Sequence, residues 1–215
     1  APWVDVDRSV HFECSLVHVD RSVYNVHMST KRDSIDALPT ARERILHTAH
    51  DLFYLDGVRA TGIDRVIAES GVTKVTFYRH FPSKNDLIRA YLQYRHQRWM
   101  AWFTEALARH GGNPDAIVPA LGEWFRDGRY RGCAFINSVG ELGGVLPDVV
   151  ELTRSHKQDM TAAIATVLPA SRQRSLIAQG VAVAIDGAIV RAQFESSPKV
   201  ALSALNRIIK ALLKD

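Results

Sequence analysis

Side chains that donate hydrogen bonds or carry positive charge are concentrated in the stretch TGIDRVIAESGVTKVTFYRHFPSK, which spans Thr61–Lys84. Lys74 and Tyr78 lie four residues apart and would share one face of a helix, and Thr76 and His80 would share another. Ammonium, hydroxyl and imidazole groups can donate to phosphate oxygens and to base edges in a DNA major groove, which is about 12 Å wide. The pattern predicts a DNA-binding surface.

Two short helices joined by a tight turn would present this surface. The first helix is predicted to end near Ser70-Gly71, the segment Glu69–Val72 to form the turn, and the second helix to run from Thr73 to a point before Pro82. Glycine tolerates the positive φ that such a turn requires. A helix of about eight residues, a glycine-containing turn and a second short helix are typical of the helix-turn-helix unit.

Aromatic residues of the second helix have two interpretations. Phe77 and Phe81 are four residues apart, and we expect both to anchor the helix to a core. Tyr78 shares its face with Lys74, so we expect it at the surface. The alternative is a small helical bundle in which all three rings are ordinary core. Lys84 follows a capping serine, where its ammonium and free backbone N–H groups would both attract a phosphate.

The elements around this unit are also predicted to be helical. Capping boxes at Thr40–Glu43 and Ser83–Asp86 predict the starts of two helices, the second continuing to about Ala108. Thr61 is expected to cap the first helix of the unit, and Gly111–Pro114 to end the long helix. Further helices are predicted at 115–127, 132–143, 148–167, 171–194 and 198–213. Period-two alternation is not sustained in these segments, so the predicted fold class is all-α.

Composition and charge restrict the class of protein. The 215 residues are 47% hydrophobic, which is enough for a sizeable core, and the net charge is +4. Residues 29–98 hold twelve of the Lys and Arg against eight acidic residues, which favours a polyanionic partner. Cys14 and Cys133 are interpreted as reduced thiols of a cytoplasmic protein. The sequence shows no signal peptide and no apolar run of membrane-spanning length, so no membrane partner is expected.

The span from about Thr40 to Leu92, and above all IAESGVTKVTFYRHFPSKNDLI, resembles the TetR family of one-component transcriptional repressors. The resemblance implies an N-terminal three-helix DNA-binding domain with a helix-turn-helix, joined by its fourth helix to a larger helical effector-binding and dimerisation domain. A small residue is common in the family where Val75 stands, and Val75 is instead expected to touch a thymine methyl group. The implied DNA contacts are Thr61, Thr73, Lys74, Val75, Thr76, Tyr78, Arg79, His80 and Lys84.

The second half of the chain contains no convincing catalytic constellation, so an enzyme is not expected and no cofactor is predicted. His47 and His50 lack further ligands nearby in the sequence, so no metal site is predicted. Aromatic side chains on successive helices are interpreted as core or as the walls of an apolar effector cavity. The candidate effector residues are Trp102, Phe103, Trp124, Phe135, Asn137, Glu141, His156 and Met160.

The last two predicted helices are interpreted as an association surface, because small residues allow close approach and apolar residues must be buried by something. The resemblance implies a homodimer formed through a four-helix bundle. The candidate interface residues are Gly180, Ala184, Gly187, Ala188, Leu202, Leu205 and Ile209.

Together these features predict a ligand-responsive repressor that binds a palindromic operator in double-stranded DNA as a homodimer and is released by a small apolar or aromatic effector. Its expected parts are an N-terminal extension (1–37), the DNA-binding domain (38–84) and the effector and dimerisation domain (85–215). One alternative is a ligandless DNA-binding protein of the same fold. Another is a small α-helical enzyme or carrier, against which the cationic second helix of the unit argues.

A near repeat precedes these parts. Val6–His11 reads VDRSVH and Val19–Tyr24 reads VDRSVY. Both can be encoded by DNA that is its own reverse complement, so one hypothesis is that the repeat encodes two operator sites and that residues 1–27 are translated upstream DNA, with Met28 as the start. The alternative is a duplicated β-prone segment or a disordered tail.

Overall fold

The computed structural model describes residues 38–214, and the N-terminal repeat lies outside them. Within that range the chain folds entirely into helices, which confirms the predicted all-α class. The order is α1 (Ala41–Asp56), α2 (Ile63–Ser70), α3 (Lys74–His80), α4 (Lys84–Arg109), a 3-10 turn (Pro114–Ala116), α5 (Ile117–Phe125), α6 (Ala134–Leu142), α7 (Pro147–Val167), α8 (Arg174–Phe194) and α9 (Lys199–Leu212).

Helix α1 begins and ends where its local sequence predicts. The Glu43 N–H donates to Thr40 Oγ1, and the Glu43 carboxylate accepts from the Thr40 N–H at 2.8 Å, so both halves of the capping box form. Gly57 follows the last helical residue with φ +91°. The apolar face of α1, with Ile45, Ala49 and Phe53 buried, packs against α2 and α4.

Helices α2 and α3 form the expected helix-turn-helix. Gly71 takes the left-handed conformation, φ +64°, and reverses the chain after α2. Thr73 caps α3 by accepting from the Thr76 N–H at 3.2 Å. The predicted Thr61 cap of α2 is wrong: Gly62 is the capping residue, and the Thr61 hydroxyl instead donates to the Gly57 carbonyl at 2.8 Å.

Helix α4 connects the helix-turn-helix to the remaining helices. It begins after Ser83, whose Oγ accepts from the Asp86 N–H, and it contacts α1 at one end and α5, α6 and α7 further along. Helices α7, α8 and α9 pack side by side and complete the C-terminal bundle.

Helix α8 (Arg174–Phe194) is long and apolar enough to cross a membrane by length and composition alone. Only 33% of its most apolar window is buried within the chain, although α8 packs along both α7 and α9. The rest of its apolar surface lies on one outward face, which is described below as a candidate contact surface.

Candidate nucleic-acid interface and effector cavities

Helix α3 presents an exposed face of donors and one apolar side chain. Lys74 is 68% exposed at its side chain, Val75 is 70% exposed and Tyr78 is 40% exposed. Thr73 and Arg79 are exposed as well, while Thr76 and His80 are half-buried at the edges of the face. The structure therefore gathers seven of the predicted DNA contacts, residues 73–76 and 78–80, on one short helix.

The opposite face of α3 holds the helix in place. Phe77 is fully buried and Phe81, just after the helix, is 2% exposed, so both are core as predicted. The Tyr78 ring lies edge-on to Phe77 with centroids 5.2 Å apart, which steadies it while its outer half stays exposed. The Arg42 guanidinium lies over the Phe81 ring at 5.2 Å and brings a further cation, missed in the sequence, to this side of the molecule.

Two predicted contacts differ from the others. Thr61 is fully buried and its hydroxyl is used inside the chain, so its side chain is not available to DNA. Lys84 is half-buried, with its ammonium 6.0 Å from the centre of the Phe53 ring. Burial lowers the pKa of Lys84, an effect that the nearby Glu141 carboxylate opposes.

Comparison with known proteins agrees with this geometry. The family described as bacterial regulatory proteins, tetR family, matches residues 45–91, which hold α2, α3 and most of α1. The HTH-type transcriptional regulator YxaF of Bacillus subtilis, itself uncharacterized, is 49% identical over 46 residues, which are 21% of this chain and 24% of YxaF. The match thus spans about a quarter of that relative. The structure of SCO4454, a TetR-family transcriptional regulator from Streptomyces coelicolor, superimposes with a TM-score of 0.71 and 28% identity over 81% of this chain and 95% of its own.

The DNA-binding segment of this chain is thus similar to the TetR family in sequence, and most of the chain is similar to a TetR-family structure in fold. A more distant member of the fold, the multidrug binding protein EbrR complexed with malachite green, superimposes with a TM-score of 0.61 at 20% identity, over 80% of this chain and 99% of EbrR. At that identity the likeness concerns the fold alone.

The C-terminal part of the chain contains a cluster of aromatic rings around a small cavity. Trp99 stacks on Phe103 with centroids 4.7 Å apart and meets Trp124 and His156 edge-on. The cavity holds about 10 Å³, room for a single water molecule. It is lined by Arg95, Trp99, Trp124, Cys133, Ala134, Phe135, His156, Lys157 and Ile189.

Among the groups of this cluster, His156 has the pKa that departs furthest from its ordinary value. Its ring stacks on Phe135 with centroids 3.8 Å apart and an interplanar angle of 11°. Its Nδ1 lies 3.2 Å from Nδ1 of His96. Burial, followed by the positive charge of Lys157, lowers the pKa of His156 to about 2, so the ring is neutral at physiological pH.

A second, more polar cleft of about 270 Å³ lies where α1 meets α6. The Glu141 carboxylate accepts from the Arg59 N–H at 2.7 Å, on the loop between α1 and α2. The Tyr54 hydroxyl donates to the Gly132 carbonyl and accepts from the Arg131 N–H, both at 3.0 Å. The Tyr54 bonds tie the end of α1 to the segment before α6, and the Glu141 bond ties the loop after α1 to the end of α6.

The candidate effector residues therefore divide among three environments. Trp124, Phe135 and His156 line the small cavity, whereas Asn137 and Glu141 line the polar cleft between α1 and α6. The sequence interpretation had grouped these two sets as one site. Three residues line neither cavity: Phe103 and Met160, which are fully buried in the core, and Trp102, which packs beside Trp99 and Trp124. The structure adds Trp99, whose buried Nε1 has no hydrogen-bond partner among residues 38–214, and His96.

His156 should make folding stability depend on pH. Because its folded pKa lies below that of a free histidine, the unfolded chain binds the extra proton, and stability is lost as the pH falls below about 6.5. Between pH 7 and pH 5 the wild type should lose about 2 kcal/mol more than His156→Phe, which keeps a ring on Phe135. Urea unfolding at both pH values measures the difference.

His47, which is exposed on α1, provides the matched control. His47→Gln should follow the wild type. An equal loss of stability in the wild type and in His156→Phe would show that the buried imidazole is not the group responsible.

Proposed function

We propose that this chain is a transcriptional regulator that binds a palindromic DNA operator as a homodimer and responds to a small aromatic effector. The single observation that carries the proposal is α3, which buries Phe77 and leaves Lys74, Val75 and Tyr78 exposed. We propose that the regulator is a cytoplasmic repressor, which is also the form that the sequence predicts.

The size and chemistry of α3 suit insertion into a major groove. Seven helical residues make a rod about 10 Å long. Its hydroxyl, ammonium and guanidinium groups can donate to phosphates and base edges, and Val75 can cover a thymine methyl group. Arg42 and Lys84 flank the helix and would contact the DNA backbone, where they contribute affinity without sequence preference.

Dimerisation is proposed through the outward faces of α8 and α9, and its residues differ from those predicted. Leu205, Ile209 and Ala188 are buried within the chain. A side chain at Gly180 would meet Leu212 of the same chain at 3.2 Å, so Gly180 also faces inward. Gly187 alone of the predicted small residues is exposed.

The apolar surface that does remain exposed follows helical spacing. Its members on α8 recur after seven or four residues, so they form one stripe, and α9 adds two more. The exposed residues are Leu176, Val183, Val190 and Phe194 of α8 and Val200 and Ile208 of α9. A stripe of this size on a DNA-binding protein favours a second copy of the chain as its cover, because a twofold dimer matches a palindromic operator.

The effector is proposed to enter the aromatic cluster. Four aromatic residues, Trp99, Trp124, Phe135 and His156, surround the small cavity, and the unpartnered Trp99 Nε1 offers one hydrogen bond. A planar aromatic compound with an acceptor atom fits this chemistry, provided the rings separate to admit it. The malachite green complex of EbrR supports an aromatic ligand for a protein of this fold.

A ligandless regulator is the second candidate, and the small volume of the same cavity favours it. About 10 Å³ admits one water molecule and no organic effector without movement of the rings. The two candidates differ in whether any compound separates those rings, which ligand titration resolves.

The DNA-binding proposal predicts different outcomes for adjacent aromatic residues of α3. Tyr78→Ala should weaken operator binding by about 10- to 100-fold with a nearly unchanged melting temperature, because its ring is partly exposed and contacts DNA. Phe77→Ala should cost about 3 to 5 kcal/mol of stability, because it leaves a core cavity. Fluorescence anisotropy on operators selected from random duplexes, together with thermal unfolding, measures both effects.

Gln93→Ala, at an exposed position on α4, is the control and should change neither quantity. A Tyr78→Ala protein that melts far below the wild type would return Tyr78 to the core. If the folded wild type selects no DNA sequence from the random duplexes, the proposed function is wrong.

The effector proposal predicts saturable quenching of tryptophan fluorescence by malachite green or another triarylmethane dye. Trp124→Ala should abolish the saturable part, because it removes one wall of the cavity, and should leave operator affinity within about threefold of the wild type. Val145→Ala, at an exposed site that does not line the cavity, is the control. Absence of saturable binding across a panel of planar aromatic compounds, with DNA binding intact, would select the ligandless regulator.

The dimer proposal predicts that a charge on the α8 stripe separates the subunits. Val183→Glu should shift the chain from dimer to monomer in analytical ultracentrifugation, because the carboxylate would be buried without a partner in the interface. Ala162→Glu, at an exposed position of α7, is the control and should stay dimeric. An unchanged dimer in Val183→Glu would place the interface elsewhere.

A further inference from the structure

Two hexapeptides with nearly the same sequence lie outside the residues that the structure describes: Val6–His11 and Val19–Tyr24. They begin thirteen residues apart and differ only in the last residue, which is His in one and Tyr in the other. Because a peptide restricts the codons that encode it, a repeated peptide also limits the DNA sequences that can encode the two copies. The repeat is therefore informative about DNA as well as about protein.

Six codons form an in-frame palindrome only if the residues match in pairs from the outside inward. A Val codon has a reverse complement that encodes Asn, Asp, His or Tyr, an Asp codon one that encodes Ile or Val, and an Arg codon one that encodes Ala, Pro, Ser or Thr. Val-Asp-Arg-Ser-Val-Tyr satisfies all three conditions and can be written GTAGACCGATCGGTCTAC. Fewer than one in two hundred choices of the last three residues would do so.

The one difference between the two copies preserves this property. The copy that ends in His can be written GTGGACCGATCGGTCCAC, in which the third base pair and its symmetry mate have changed together. A selection on protein structure does not require that the residue in place of Tyr be one of the four that keep the palindrome. A selection on twofold-symmetric DNA does, because both half-sites then change alike.

We propose that the codons for Val6–His11 and Val19–Tyr24 are two operator sites of the protein that they help to encode. The proposal rests on the proposed function, and it names the DNA sequence that α3 reads. It also implies autoregulation, since an occupied operator lies within the gene itself.

The proposed sites fit the described surface. A palindrome of eighteen base pairs holds two equivalent half-sites about one helical turn apart, as a twofold helix-turn-helix dimer requires. Each half carries guanines for Lys74 and Arg79 to donate to, and thymine methyl groups for the exposed Val75 to cover. The spacing of thirteen codons leaves room for a dimer on each site without overlap.

Sequencing of the gene is the first test, and codons there that do not form palindromes overturn the proposal. The second test measures binding of the full chain to a duplex of about 30 base pairs centred on GTAGACCGATCGGTCTAC, by anisotropy at fixed salt. The matched control duplex carries GTCGATAGAAGCGTTTAT, which encodes the same six residues without symmetry. The palindrome should bind at least about a hundredfold more tightly than the control.

Equal binding to both duplexes would overturn the operator assignment. Selection from random duplexes separates that failure from failure of the proposed function, because a chain that selects some other palindrome remains a DNA-binding regulator. Replacing every thymine of the site with deoxyuridine tests the contact further. It should weaken the wild type by about fivefold or more and weaken Val75→Ala much less, because only the methyl groups are removed.

Discussion

The exposed donors of α3 depend for their position on one aromatic ring of that helix, Phe77, which is buried in the core. Helix α3 has only seven residues, and an isolated helix of that length is not stable in water. Its orientation therefore depends on Phe77, which is fully buried, and on Phe81, which closes the same core beneath Arg42. The exposed donors of α3 keep a fixed arrangement because the buried side of the helix holds it in one orientation.

The position of the helix-turn-helix also depends on contacts that α1 makes with the C-terminal helices. Helix α1 packs on α2 and α3 along one side, and its last turn is tied to α6 through Tyr54 and the loop bond from Arg59 to Glu141. Gly57 sits in this junction with φ +91°, and a side chain there would lie 3.3 Å from the Glu141 carboxylate. The junction holds a polar cleft of about 270 Å³, whereas the cavity among the tryptophan rings holds about 10 Å³.

Local signals in the sequence were sufficient to predict much of the fold. The capping box at Thr40, the side-chain cap at Ser83 and the left-handed turn at Gly71 involve only residues close in the chain, so their chemistry can be identified without the tertiary structure. The Thr61 cap failed because its hydroxyl bonds to Gly57, a competing partner that only the folded loop brings near.

The candidate sites were harder to predict, because their residues are joined by packing rather than by spacing. Helices α8 and α9 are apolar on more than one side, and periodicity does not indicate which side meets the same chain. Leu205 and Ile209 were therefore assigned to an interface although they are buried within the chain, whereas Val183 and Phe194, which are exposed, were not named as candidates. Similarly, Glu141 and His156 both interrupt apolar helices, yet one faces the α1 junction and the other faces Trp99.

The bond from the Arg59 N–H to Glu141 has a consequence that runs in both directions. The Glu141 carboxylate accepts from this backbone donor at 2.7 Å, so a displacement of α6 would move the loop before α2, and a displacement of that loop would move α6. Thermodynamic linkage makes the two effects equal: if a ligand near α6 lowers the affinity for DNA by some factor, DNA lowers the affinity for that ligand by the same factor. Chromosomal sites would then act as a reservoir that resists the ligand, and the number of operators in a cell would help to set the dose at which it responds.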